Sequence, residues 1–260
     1  MDINMLQALL IGLWTAFCFS GMLLGIYTNR CIILSFGVGI ILGDLPTALS
    51  MGAISELAYM GFGVGAGGTV PPNPIGPGIF GTLMAITSAG KVSPEAALAL
   101  STPIAVAIQF LQTFAYTAFA GAPETAKKHL KKGNIKGFKF AANGTIWAFA
   151  FIGLGLGLLG ALSMDTLLHL VDYIPPVLLN GLTVAGKMLP AIGFAMILSV
   201  MAKKELIPFV LMGYVCAAYL QIPTIGIAII GIIFALNEFY NKPKTVEVTT
   251  TQGGQQDDWI

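Results

Sequence analysis

The sequence predicts an all-α polytopic membrane protein with broken and re-entrant helices, and three observations predict it. Apolar residues fill 56% of its 260 positions and charged residues only 10%, against about 25% charged in an average soluble domain. Mean hydropathy is +0.83. The apolar pattern is interrupted between residues 56 and 81 by eight glycines and four prolines, a density that no regular helix survives. At roughly 20–25 residues per crossing, the length allows about eight or nine inserted segments, counting short and re-entrant ones. One membrane domain over residues 1–240 is expected. The tail over 241–260, rich in Thr, Gln, Gly and Asp, reads as disordered.

Residues 5–28 form the first expected span. The stretch before it lacks a basic leader and a small-residue cleavage site, so the span is expected to stay in the mature protein. Residues 31–49 form a second span, containing Gly43-Asp44-Leu45-Pro46, and residues 50–64 lead into the broken region. Asp44, two residues before a proline, reads as a turn or helix cap. An acidic group inside an apolar segment is also a functional candidate. Cys18, Cys31 and Cys216 each stand alone without C-x-x-C spacing and read as small hydrophobes.

The broken region carries the most chemistry. In hydrocarbon an unpaired backbone group costs several kcal/mol, so irregular backbone at membrane depth survives only where protein covers it or where it lines a watery cavity. Scattered glycines are also explained by close helix packing. Pro71-Pro72-Asn73-Pro74 beside Gly67-Gly68, downstream of Glu56, is not. The Glu56 carboxylate, the Thr69 hydroxyl, the Asn73 amide and freed backbone groups supply donors and acceptors suited to a polyhydroxylated solute, and also to a cation.

Beyond Gly81 come an apolar run to Ser88, a polar link over 89–95 and a long segment over 96–121. Gln109 and Gln112 lie three apart in it and so share a helical face, with Gln109 expected to be the deeper. Both suit bonding between helices, and a sugar hydroxyl is the sharper alternative. Six lysines follow within residues 127–139, and a short loop this basic faces the cytoplasm. It also suits an acidic partner or anionic lipid headgroups. From that anchor, residues 141–163 run outward, 164–187 form an outer or partly inserted stretch, 188–202 return to Lys203-Lys204, and 206–220 and 222–240 complete the traverse to Lys242 and Lys244. Pro175-Pro176 followed by Asn180-Gly181 loosely repeats the proline-asparagine-glycine pattern of the first half. Paired breaks of this kind point to a transporter with internal repeats.

No P-loop, nucleophile elbow or metal-ligand pattern is present. Neither histidine, His129 in the basic loop or His169 in the outer stretch, has room for a soluble phosphocarrier domain around it. If phosphate is involved, another protein brings it. No cofactor, metal or nucleic acid is expected.

Taken together, Gly43-Asp44, Ser55-Glu56-Leu57, Met60-Gly61, Gly67-Gly68, Pro71-Pro72-Asn73-Pro74, Asn180-Gly181-Leu182, Val184-Ala185-Gly186 and Leu189-Pro190-Ala191-Ile192-Gly193-Phe194 resemble the IIC membrane subunit of the mannose-type sugar phosphotransferase system, over nearly all of residues 6–240. The resemblance implies a sugar translocator in a bacterial cell membrane that works with a IID membrane subunit in trimers of IIC–IID pairs. Cytoplasmic IIB, charged by IIA, phosphorylates the incoming sugar, so enzymatic activity belongs to the assembly. The Pro-Pro-Asn-Pro variant looks closest to the branch handling amino sugars such as N-acetylgalactosamine, or unsaturated glycosaminoglycan disaccharides. The polar core of the family would map onto Glu56, Thr69 and Asn73 and, less directly, Gln109 and Asp44.

Two departures stand out. Relatives usually carry His-Arg-Pro where this chain has Asn29-Arg30-Cys31, and a glycine where it has Lys187. Lys187 either snorkels to the surface or meets a carboxylate on an acidic sugar. Two other classes of reading stand beside the sugar permease: an ion-coupled secondary transporter with a proton site at Glu56 or Asp44, and a docking surface for extracellular peptides.

Overall fold

The computed structural model describes residues 3–60, 72–201 and 203–241. Thr69, most of the glycine-rich run and the tail over 242–260 lie outside the described residues. All regular structure among the described residues is helical. By packing, the chain divides into two compact units, Met1–Met201 and Ala202–Ile260. Among the described residues, five helices are long and apolar enough to cross a membrane, and three more are apolar but shorter.

The first unit starts with α1 (Met5–Gly21), which buries Ala8, Ile11, Gly12, Thr15, Cys18 and Phe19. Their spacing of three and four residues draws one stripe down the helix. The stripe meets α7 (Ile135–Leu162). A β-carbon built on Gly157 would lie 2.8 Å from the Gly12 α-carbon, and one on Gly153 would lie 2.8 Å from the Ala16 α-carbon. Only glycine lets these two backbones approach so closely, which is how membrane helices gain dispersion energy without help from water. Phe19 and Phe149 lock the same interface with ring centroids 4.9 Å apart.

After α1 the chain turns at Gly25, whose φ of +75° suits a residue without a β-carbon. It then enters α2 (Cys31–Leu42) and α3 (Leu45–Tyr59), joined at Gly43, which has a φ of +80°. The expected second span over 31–49 is therefore two helices. Asp44 accepts a hydrogen bond from Thr47 N at 3.2 Å and Pro46 sits in the first turn, so a new helix starts where one was expected to continue. The two helices have 12 and 15 residues, hence lengths of only about 18 and 22 Å, short of the roughly 30 Å hydrocarbon core. They form a hairpin of half-length helices.

At the centre of this unit lies α4 (Gly76–Thr87). Every residue from Ile75 to Ser88 is buried. Its first turns, Gly76–Gly81, are π-helical, a wider winding that often marks functional positions. Three glycines bring neighbours in on different sides: Gly76 abuts Ala105, Gly78 abuts Leu34 and Gly81 abuts the tip of Met51. Ser35 donates to Gly78 O at 3.3 Å, and Thr82 donates to Ser35 Oγ at 2.8 Å. A predominantly apolar helix whose two threonines bond within the protein is surrounded on every side, as the apolar run after residue 75 demands.

The next helix, α5 (Pro94–Ala118), is capped by Ser93, which accepts from Ala96 N at 3.3 Å, and contains Pro103. The basic stretch is not an open loop. Lys127, Lys128 and Lys131 belong to α6 (Ala122–Lys131), and Lys136 and Lys139 belong to the start of α7. Beyond α8 (Met164–Asp172), α9 runs unbroken over Pro176–Met201 with Pro190 inside it. The expected outer stretch over 164–187 and span over 188–202 therefore merge, and Pro175-Pro176 starts a helix instead of breaking one. Gly186 and Gly193, two turns apart, press α9 against the carbonyls of Glu95 and Leu57 respectively.

The second unit contains α10 (Ile207–Ala218) and α11 (Thr224–Asn241). Phe209 and Phe234 pack edge to face at 5.8 Å. No described residue on either helix is buried, so the apolar faces remain for lipid or a partner chain.

Candidate functional site

The chain between α3 and α4, two short helices that pack alongside each other where Gly81 meets Met51, carries the residues that were expected to bind a solute. Glu56 lies on the last turn of α3 and is half-buried. Arg30, the only arginine in the chain, forms an ion pair with it, the Arg30 Nε donating to Glu56 Oε1 at 2.6 Å. The other carboxylate oxygen accepts from Ile32 N at 3.4 Å. The Glu56 charge thus sits on the first turn of α2, where exposed amides and the helix dipole favour an anion.

Asn73 is fully buried and anchors the far side of the break through three groups. Its backbone amide donates to Ala105 O on α5 at 3.1 Å. Its side-chain oxygen accepts from Ile75 N at 3.0 Å, closing an Asx turn that launches α4. Its side-chain amide donates to Gln112 Oε1. Pro72 and Pro74 fix the backbone on either side and lack donors that would otherwise need partners. Cys31 Sγ contacts Pro74 O at 3.8 Å, so the consecutive residues Arg30, Cys31 and Ile32 bridge the Glu56 end of α3 to the Asn73 end of the break.

A second polar chain leads away from Asn73. Gln112 Nε2 faces Met22 Sδ at 3.9 Å, and Asn29 Nδ2 faces the same sulfur at 3.4 Å. Sulfur is a weak acceptor, so both amides keep donor capacity. The Asn29 side-chain oxygen is buried with no hydrogen-bond partner, an uncommon state for a polar atom and a vacant acceptor for an incoming donor. Beside it, Met22, Gly25, Ile26, Tyr27, Asn29 and Arg30 line a cavity of about 310 Å³. The arrangement offers a carboxylate, a guanidinium and three side-chain amides within one polar cluster. Groups of these types can pair with the hydroxyls of a polar solute through complementary donors and acceptors.

The sequence-expected residues do not all gather here. Glu56 and Asn73 do, and Thr69 lies outside the described residues. Gln109 was expected to be the deeper glutamine of its pair, but Gln112 is, at 8% exposure, while Gln109 is half-buried. Both lie on one face of α5, and Gln112 is the one set against Asn73 and Met22. Asp44 caps α3 at the opposite end of that helix, twelve residues and therefore about 18 Å from Glu56. Lys187 is exposed on α9 and has no ion pair or hydrogen bond among the described residues. Arg30 and Asn29 were noticed only as a departure from relatives. A usable signal was there, because Arg30 is the sole cation before Lys91 and Glu56 is one of only three acids in that stretch. Among the described residues no group of three or more His, Cys, Asp or Glu is placed to hold a metal ion.

A profile of the sorbose-specific IIC component of the phosphotransferase system matches residues 5–237. N-acetylgalactosamine permease IIC component 1 of Escherichia coli K12 is 35% identical over 185 residues, 70% of this chain and 67% of that protein. A solved structure described as a membrane protein superposes with a TM-score of 0.83 at 28% identity, covering 94% of this chain and 98% of that one. A chain in a cryo-EM structure of the mannose transporter ManYZ with microcin E492 superposes with a TM-score of 0.57 at 27% identity, covering 94% of this chain and 99% of that one. This chain belongs to the sorbose-type IIC components, multi-pass sugar permease subunits of the mannose family of the phosphotransferase system.

Proposed function

We propose that this chain binds and translocates an amino sugar, N-acetylgalactosamine or a glycosaminoglycan-derived disaccharide, through the polar break between α3 and α4. It does so as the IIC partner of a IID membrane subunit, in trimers of such pairs. A cytoplasmic IIB subunit charged by IIA phosphorylates the sugar on arrival. The observation that carries the reading is the joining of Glu56 and Asn73 around the first turn of α2, which puts ionic and amide groups on irregular backbone inside an apolar bundle. The 35% identity to an N-acetylgalactosamine permease component supports the choice of cargo. Glu56, Asn73 and Thr69 are the proposed sugar contacts, with Gln112 supporting Asn73.

The orientation follows from the lysines. With the α6–α7 turn in the cytoplasm, α7 runs outward and α9 runs back toward the cytoplasmic side within the first unit. The ion-coupled alternative is disfavoured by the occupation of both candidate proton sites, Glu56 by Arg30 and Asp44 by the cap of α3.

The test is uptake in vesicles carrying the complete IIC–IID–IIB–IIA assembly. Uptake that needs phosphoenolpyruvate and delivers N-acetylgalactosamine phosphate supports the proposal. Uptake that follows a proton gradient and delivers unmodified sugar overturns it. Glu56→Gln is expected to assemble with IID yet lose most sugar uptake, whereas unchanged uptake would remove Glu56 from the site.

A further inference from the structure

The six lysines around the α6–α7 turn remain unused by the sugar site. Residues 122–145 hold Lys127, Lys128, Lys131, Lys132, Lys136 and Lys139 against a single acid, Glu124. All six are exposed. The only ion pairs among the described residues are Arg30–Glu56 and Lys91–Asp172, so none of the six has an acidic partner there. Directly alongside is a cavity of about 440 Å³ where the end of α5, α6 and the first turns of α7 converge, floored by Tyr116, Phe119, Ala126, Ala141, Ala142 and Thr145. The floor is almost wholly apolar.

The vertical order of these groups matters. Lys136 and Lys139 precede Thr145 on α7 by nine and six residues, about 13 and 9 Å along the axis. Phe140 and Trp147, at 81% and 63% exposure, project from the same helix, and aromatic side chains of this kind settle at the membrane–water boundary. Cations therefore lie at headgroup depth, with an apolar recess just below at the depth of the upper acyl chain. A soluble acidic protein would meet the lysines but has no use for the recess. A diacyl anionic lipid uses both.

We propose that this cleft is a binding site for an anionic phospholipid, with an acyl chain in the recess between α5, α6 and α7 and the phosphate held by the lysines of the α6–α7 turn. Each lysine near a charged headgroup contributes about 1 kcal/mol, so neutralising three of them lowers apparent affinity on the order of a hundredfold. The site is separate from the sugar-binding break and does not depend on which sugar is carried.

A tryptophan placed on the recess wall by Phe119→Trp, in a Trp147→Phe background, reports on it. The full chain, purified with its partner subunit, is placed in phosphatidylcholine vesicles in which a small fraction of lipid is brominated phosphatidylglycerol or, in parallel, brominated phosphatidylcholine. Quenching of tryptophan fluorescence should be stronger with the brominated phosphatidylglycerol. That excess should disappear when Phe119 is restored, in Lys132→Gln/Lys136→Gln/Lys139→Gln, and in Ala142→Phe, which fills the recess without changing charge. High salt applied to the unaltered protein should weaken the excess too. Equal quenching by the two lipids overturns the proposal, as does an excess that survives in the triple variant. If the lipids quench alike and the triple variant instead loses phosphoryl transfer from IIB, the lysines serve a protein partner and the lipid site is refuted.

Discussion

Replacing Gln112 by leucine tests whether the break is held by the amide pair that spans it. Asn73 is fully buried and Gln112 is 8% exposed, so the substitution strands the Asn73 side-chain amide where water cannot replace its partner. A buried donor left unpaired costs about 1–3 kcal/mol, while side-chain hydrogen bonds between membrane helices average about 0.6 kcal/mol and reach about 1.7. The two other bonds at Asn73, to Ala105 O and from Ile75 N, do not involve Gln112. The backbone should therefore stay in place while the side chain loosens, a cost of about 1 kcal/mol or a fivefold shift. The assay is a double-mutant cycle of Gln112→Leu, Asn73→Ala and the combined variant in the assembled complex, following thermal unfolding and sugar uptake. Gln112→Leu should raise the KM for sugar more than it lowers maximal uptake. If the single effects on stability add within about 0.3 kcal/mol, the two amides are independent and the reasoning fails.

Three further outcomes follow from the packing. Gly157→Leu should cost about 1–3 kcal/mol or more through overpacking, because its β-carbon would lie 2.6 Å from Thr15 Oγ1 and 2.8 Å from the Gly12 α-carbon; Gly155→Ala, with nothing within 4 Å, should be neutral or mildly stabilising. Melting temperatures of the two variants in one detergent decide between them. Asp44→Ala should lose about 1 kcal/mol of cap stabilisation and keep its transport rate, and a folded variant unable to transport would return Asp44 to the solute pathway. Lys187→Gln should reduce uptake of a uronic-acid disaccharide more than uptake of a neutral hexosamine if the exposed ammonium meets an acidic cargo, and an equal loss on both removes that role.

Much was legible before any coordinates. The mean hydropathy and the 10% charge settle the solvent, because a chain with so few charges cannot cover a water-facing surface. Eight glycines and four prolines between residues 56 and 81 predict a broken backbone; among the described residues Pro72-Asn73 lies outside any helix, whereas Gly76–Gly81, three glycines and a proline included, winds into α4. Asp44 before Leu45-Pro46 is a cap in sequence and in structure. Other features were not legible. The pattern over 31–49 is equally apolar on both sides of Gly43, so hydropathy cannot distinguish one crossing from a hairpin of two half-helices. Pro175-Pro176 and Pro72-Asn73-Pro74 look alike as strings, yet the first opens α9 and the second interrupts the path from α3 to α4.

Composition and periodicity report what each residue prefers to touch, and this determined the membrane and the all-helical class. Partner choice is a long-range matter. Arg30 finds Glu56 across 26 positions and Asn73 finds Gln112 across 39, and on α5 either glutamine satisfies the local pattern equally well. Only tertiary packing decides that Gln112, set against Asn73 and Met22, is the covered glutamine, because burying an unpaired amide costs far more than any local preference distinguishing the two.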